Sequence, residues 1–221
     1  MTTRPRHPPT RAGFGADRPA PGTRSFGLRL DRVRVRLDGL DDDHADRLRS
    51  RFGAYGGPIA DQEPAIRERV GLEDREYFIE PPEIPEFNPI LTAVDADSVR
   101  FLGYRAGGWF EPDDGVGVLW IARGDFEPAE RAVENFLRCA VAWRAIRAGG
   151  ALVHAASSVR IGHGYLFFGH SGAGKSTLAA ADRRGRVVSD DLSLVLPRDG
   201  GGLDLVGSPF RGTYEGGTPV H

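Results

Sequence analysis

The chain has 221 residues, of which 40% are hydrophobic and 27% are charged, and its formal net charge at pH 7 is −2. This composition is typical of a globular protein with one large domain or two small ones, and we expect neither nucleic acid nor a membrane as partner. The single cysteine, Cys139, excludes an intrachain disulfide and lies in an apolar helical stretch, which favours a buried structural thiol. Without a membrane-spanning apolar run or a secretory signal, we expect a cytoplasmic protein.

Residues 1–24 are rich in Pro, Arg and Gly and predict a disordered basic tail. Residues 25–127 predict a β-rich α+β N-terminal region of antiparallel strands, because short apolar runs alternate with charged residues and turns. One of these strands is expected at residues 76–80. The acidic run 41–43 predicts the N-cap of a short helix that continues through Leu48.

Residues 128–221 predict a second, α/β domain. Pro128 lies in the first turn of a predicted helix at 129–148, which Gly149 and Gly150 end. Beyond this helix, the pattern predicts a strand at 151–161, a hairpin turn at 162–164 and an apolar strand at 165–168. A glycine-rich loop then leads into a helix, which is followed by a strand region at 186–197 and a short strand at 203–207. The order strand, loop, helix, strand is typical of units that bind phosphate at the loop.

Residues 169–176, GHSGAGKS, match the Walker A pattern without a mismatch, and they contain the only lysine of the chain. Glycines allow backbone N–H groups to surround phosphate oxygens, Lys175 neutralises charge on the β- and γ-phosphates, and the Ser176 hydroxyl ligates Mg²⁺. We therefore expect ATP and Mg²⁺ as cofactors. The residues expected to bind the nucleotide are Gly169, His170, Ser171, Gly172, Ala173, Gly174, Lys175, Ser176 and Thr177.

Two acidic residues follow the next predicted strand, Asp190 and Asp191, the first of them fifteen positions after Lys175. An aspartate at a strand end beside the phosphate loop is typical of a Mg²⁺-binding site, although an Asp-Asp pair also occurs in surface turns. This spacing is shorter than in most motor and transporter ATPases. His154 lies on the strand before the loop; taken alone, a histidine in this position is more often a core histidine than a site residue.

The stretch HAASSVRIGHGYLFFGHSGAGKSTLAAADRRGRVVSDDLSLV resembles the kinase domain of the HPr kinase/phosphorylase family, whose fold is shared with phosphoenolpyruvate carboxykinase. The resemblance covers about residues 150–212. It implies that His154 is an active-site histidine and that Lys175 and Ser176 are the Walker A lysine and Mg²⁺ ligand. It further implies that one residue of Asp190 and Asp191 is the catalytic base and that the other helps to hold the metal, with Asp191 as the metal ligand of choice.

The resemblance has two departures. Bifunctional members of the family carry an acidic residue after the P-loop serine, where this chain has Thr177. The family also has a catalytic region beyond the acidic strand, so we expect a truncated or shortened member, in which Arg211 is a further candidate for phosphate contact.

Two functions from different classes follow. The first is an ATP- and Mg²⁺-dependent kinase that transfers the γ-phosphoryl group to a serine or other hydroxyl on a protein, a peptide or a small molecule. The second is a nucleotide-binding accessory module without phosphotransfer. A carboxykinase-like activity on a small organic acid is a lesser candidate. The sequence leaves the acceptor and a homo-oligomeric state open.

Overall fold

The computed structural model describes residues 8–14, 20–74, 77–79, 90–113, 115–124, 126–170, 172–181 and 185–210. The chain divides into two compact units, of which the first comprises Met1–Leu28, Arg34–Arg51 and Gly56–Ala140, and the second comprises Arg29–Val33, Phe52–Tyr55 and Val141–His221. Strands outnumber helices along the described chain, and the fold class is α/β with a high strand content. The predicted Arg211 contact lies outside the described residues.

A seven-stranded sheet with the order β1-β2-β3-β7-β6-β5-β4 forms most of the first unit. The strands from β7 to β4 at one edge pair antiparallel in succession, but β3 runs parallel to both β2 and β7. The sheet is therefore mixed, and the prediction of an antiparallel region was wrong for its centre. The strands are β1 (Arg24–Leu30), β2 (Val33–Leu40), β3 (Ile66–Glu73), β4 (Leu91–Val94), β5 (Val99–Leu102), β6 (Ala106–Phe110) and β7 (Val116–Ala122).

The helix α1 (Asp42–Phe52) lies in the chain between β2 and β3, where it provides the crossover that parallel strands require. Its N-cap is Asp41, whose carboxylate accepts a hydrogen bond from the backbone N–H of His44 at 2.8 Å. The acidic run thus caps a helix as predicted, because its oxygen satisfies an N–H that has no partner within the helix.

The long helix α2 (Phe126–Arg147) follows β7 and confirms the helix predicted near 129–148. Phe136 is fully buried, and its ring packs edge-on against Phe101 and Phe110 at centroid distances of 5.6 and 5.8 Å. A glycine ends the helix region, since Gly149 has a φ of 78°, which favours a residue without a side chain.

Other segments of the first unit pack against Trp120 and Trp109. Phe78 joins Trp120 in a buried cluster, and the segment 77–79 is not a strand, so the predicted strand at 76–80 was wrong where the chain is described. Its backbone approaches the sheet through the N–H of Ile79, which donates to the carbonyl of Gly103 at 3.2 Å. Within the predicted tail, Arg11 lies over the Trp109 ring at 3.9 Å.

The second unit contains two three-stranded sheets with the orders β10-β9-β11 and β13-β12-β8. The predicted strand at 151–161 is two strands, because the chain leaves one sheet at His154 and enters the other at Ala156. The elements are β8 (Ala151–His154), β9 (Ala156–Arg160), β10 (His163–Phe167), α3 (Lys175–Ala181), β11 (Arg186–Ser189), β12 (Leu192–Pro197) and β13 (Leu203–Val206).

The strand β9 pairs antiparallel with both β10 and β11, so these two strands run in the same direction. The helix α3 connects them and contacts β9 and β10. This arrangement places the loop before α3 at the end of β10 and places the acidic pair at the end of β11. None of the helices in the described ranges is both long and apolar enough to cross a bilayer.

Candidate functional site

The glycine-rich loop connects β10 to α3, as its sequence predicts. Gly172 and Gly174 both have a φ of 79°, in the left-handed region that residues with a side chain rarely adopt. A Cβ added at either glycine meets nothing within 4 Å, so the space beside the loop is open to a ligand. At Gly169 an added Cβ would lie 2.9 Å from that of Ala173, which explains a glycine at the first position. Ser171 lies outside the described residues.

Lys175 folds back over this loop. Its ammonium group donates to the carbonyl oxygens of Gly169 at 2.9 Å and of His170 at 3.1 Å. The only lysine of the chain thus places its charge against two backbone carbonyl oxygens of the loop. A polyphosphate at the loop offers the same ammonium group negatively charged oxygens, with which its hydrogen bonds are stronger.

A hydrogen bond joins α3 to the acidic pair. The Ser176 hydroxyl donates to the backbone carbonyl oxygen of Asp190 at 3.2 Å. The predicted Walker A serine and the predicted acidic turn, fourteen positions apart in sequence, therefore lie beside one another. Thr177, the next residue of the helix, is exposed.

The acidic pair lies where the chain passes from one sheet to the other. The pairing of β11 with β9 shifts register between Val187 and Ser189, a β-bulge directly before the pair. Such bulges change the direction in which the following side chains point. Asp190 is buried at 6% exposure, whereas the Asp191 side chain is 23% exposed. Of the two carboxylates, that of Asp191 is the more accessible to solutes.

His154 ends β8, opposite Leu192 of β12. Its Nε2 atom lies 3.4 Å from a carboxylate oxygen of Asp191, and its side chain is 68% exposed. It is therefore an exposed histidine beside the acidic pair rather than a core histidine. The structure brings together a histidine, an aspartate, a second aspartate and the loop serine within the second unit.

Serine hydroxyls near the acidic pair hold the backbone around the site, and the sequence analysis missed this positioning role. The Ser189 hydroxyl donates to the carbonyl oxygen of Leu192 at 2.8 Å and lies 3.4 Å from the backbone nitrogen of Asp191. Ser193 is fully buried; its hydroxyl donates to the carbonyl of Ala155 at 2.9 Å. These bonds fix the two places where strands change sheets. The signal that could have identified them is the flanking of Asp190-Asp191 by serines in SDDLS.

The donor set fits Mg²⁺ in the form in which a nucleotide carries it. Mg²⁺ prefers oxygen ligands, keeps several waters, and is commonly held by one or two protein oxygens together with phosphates. The Ser176 hydroxyl and the carboxylates of Asp190 and Asp191 are oxygens of this kind. Among the described residues, no three His, Cys, Asp or Glu side chains form a group that could hold a metal ion by themselves. The site therefore fits a metal that arrives with phosphate ligands.

No family model matches the chain, and neither a curated protein nor a solved structure matches it. The choice of a function therefore depends on the geometry of these residues.

Proposed function

We propose that the protein is an ATP- and Mg²⁺-dependent kinase that transfers the γ-phosphoryl group to a hydroxyl on a protein, a peptide or a small molecule. The observation that carries this proposal is the hydrogen bond from Ser176 to Asp190, because it joins a Walker A loop to an acidic pair. We assign the second unit to the HPr-kinase-like, carboxykinase-related fold class on the same residues, and we propose a cytoplasmic location, where ATP and Mg²⁺ are abundant.

The roles follow from position and charge. The loop binds the phosphates through its backbone N–H groups and through the ammonium group of Lys175. Ser176 and one aspartate of the pair would hold Mg²⁺, which would neutralise charge on the phosphate oxygens. The other aspartate is the base, and we assign this role to Asp191, because its side chain is 23% exposed and an acceptor reaches it more readily than it reaches the buried Asp190.

In the transfer, the acceptor oxygen forms a bond to the γ-phosphorus while the bond to the β–γ bridging oxygen breaks and ADP leaves. The acceptor proton passes to the carboxylate base as its oxygen attacks. His154 contacts Asp191 at 3.4 Å and orients this carboxylate. A positioned base of this kind contributes about 100- to 10,000-fold to the rate.

The test is phosphoryl transfer from γ-labelled ATP with Mg²⁺ to a panel of HPr, serine- and threonine-containing peptides and small alcohols. We expect Asp191→Asn to lower transfer by about 100-fold or more, and Lys175→Ala to lower it by about 100- to 1,000-fold through lost stabilisation of the phosphates. The matched control is Asp204→Asn, which removes the same charge from a half-exposed side chain of β13.

Equal transfer by the wild type and Asp191→Asn would falsify the kinase proposal. A protein that Mg²⁺-ATP stabilises against heat, with the stabilisation lost in Lys175→Ala but with no labelled acceptor, would instead be the nucleotide-binding accessory module. A thermal-shift measurement on the same variants distinguishes the two functions.

A further inference from the structure

An open groove of about 670 Å³ adjoins the phosphate loop. One wall is the end of β10 with the residue that follows it, and the other is a face of α3. The residues that matter to its chemistry are Leu166, Phe168, Lys175, Thr177, Leu178 and Ala181. A volume of this size is typical of a small-molecule site, whose lining is mostly apolar.

The apolar side chains of the groove are unusually accessible. Phe168 is 65% exposed and Leu178 is 54% exposed, although side chains of this kind are normally buried. Both lie within a few residues of the loop, since Phe168 directly precedes Gly169. An exposed aromatic ring and an exposed aliphatic side chain in the same groove are the surfaces between which a planar ring stacks.

The groove is continuous with the phosphate loop, because Gly174 and Lys175 belong to both. A triphosphate held by the loop therefore has its nucleoside within reach of the groove. The polar side chains among the described lining residues are those of Lys175 and Thr177, both at the loop end. The outer part of the groove thus presents apolar side chains and no side-chain donor or acceptor that could distinguish one purine from another.

We propose that this groove binds the base of the nucleoside triphosphate by stacking on Phe168 against Leu178, with little discrimination between adenine and guanine. This inference rests on the proposed binding of nucleotide phosphates at the loop. Stacking on an aromatic side chain tolerates every base because each base has a π-face. An apolar pocket also rejects a related ligand only weakly, whereas a pocket with hydrogen-bonding groups rejects it strongly.

The experiment compares three probes by isothermal titration calorimetry in the presence of Mg²⁺: ATP, GTP and inorganic tripolyphosphate, which has no base. We expect the full chain to bind ATP and GTP with affinities within about threefold of each other. Phe168→Ala is expected to weaken both by about tenfold and to leave tripolyphosphate binding unchanged, because it removes only the stacking surface. Phe168→Trp, which keeps an aromatic face, should retain the wild-type affinities.

The matched control is Leu203→Ala, which removes an exposed apolar side chain from β13 of the same unit, at a position that does not line the groove. Tripolyphosphate binding reports that each variant is folded.

Unchanged ATP binding by Phe168→Ala, or a large preference for one purine, overturns the inference and leaves the proposed function standing. If the wild type binds tripolyphosphate no better than Lys175→Ala does, the inference about the groove and the proposed function both fail. Phe168→Ala could also change the oligomeric state in sedimentation while leaving the ratio of ATP to tripolyphosphate affinity unchanged. That result would identify the groove as a contact between copies of the chain and would overturn the inference as well.

Discussion

The two units bury different kinds of polar group. Among the described residues, the first unit buries three glutamates, Glu68, Glu73 and Glu134, and one serine, Ser98, whereas the second unit buries mainly serine hydroxyls, together with Asp190. Hydroxyls can donate and accept at once, so they satisfy strand ends where backbone pairing is interrupted. Glu68 and Glu134 lie inside a strand and a helix that continue through them, and Glu73 is the last residue of β3.

The units also differ in their apolar side chains. Phe101, Phe110 and Phe136 are all completely buried in the first unit. In the second unit Tyr165 and Phe168 are 46% and 65% exposed. Both units have a buried core, and that of the second unit includes Phe52 and Phe210. Among the described residues, however, exposed aromatic rings occur in the second unit alone, so the aromatic core of the first unit is closed.

The largest expected effect concerns the closed core. Phe136→Ala should lower the free energy of unfolding by about 3–5 kcal/mol, because it removes a buried ring that contacts two others. Phe168→Ala removes the same ring from an exposed position and should change the free energy by less than about 0.5 kcal/mol.

Denaturant unfolding of both variants, with wild type as reference, measures this contrast. Similar losses in the two variants would show that Phe168 contributes to a core, and the difference between the units would then disappear.

The second prediction concerns the pKa of Glu68, which burial raises. Neither of its carboxyl oxygens has a hydrogen-bond partner within the described chain, and complete burial raises its pKa well above the ordinary value of 4.5. The folded state therefore binds this proton more tightly than the unfolded state. Stability from this group is present below pH 4.5 and is lost as the pH rises toward the folded pKa.

Glu68→Gln removes the titration while keeping the size of the side chain. Above pH 5, the free energy of unfolding of Glu68→Gln minus that of the wild type should rise by about 1.4 kcal/mol per pH unit. The rise should end at the pH where Glu68 ionises in the folded wild type. Urea unfolding of the two proteins between pH 5 and pH 8 gives this difference. A difference that stays constant with pH would show that Glu68 has an ordinary pKa and that the first unit tolerates an ionised carboxylate.

The features that the sequence predicts well are those with local causes. The loop requires glycines at Gly172 and Gly174 because their φ angles are positive, and the pattern of residues expresses that requirement directly. The helix α2 was predicted from its repeat of apolar residues, and the N-cap of α1 was predicted from the acidic run that begins at Asp41. These features depend on residues that are close in the sequence.

The wrong predictions depend on distant parts of the chain. Alternation of apolar and polar residues does not encode strand direction, so the parallel pairing of β3 with β2 and β7 was missed. The sheet change at Ala155 has no turn residue to mark it. The exposure of Phe168 is likewise invisible in the sequence, since an apolar run usually indicates a buried strand.

The smallest expected effect is chemical rather than energetic and concerns Cys139 of α2. Burial raises its pKa from 9.0 to about 11, which lowers the thiolate fraction at neutral pH by about 100-fold. Because the thiolate is the reactive form, its reaction with an aromatic disulfide reagent should be about 100-fold slower in the native protein than in guanidinium. Cys139 is partly exposed rather than buried as its apolar stretch predicts, so the reagent can reach the sulfur without opening of α2. Ordinary reactivity in the native state would therefore show that its surroundings do not raise the pKa of the thiol.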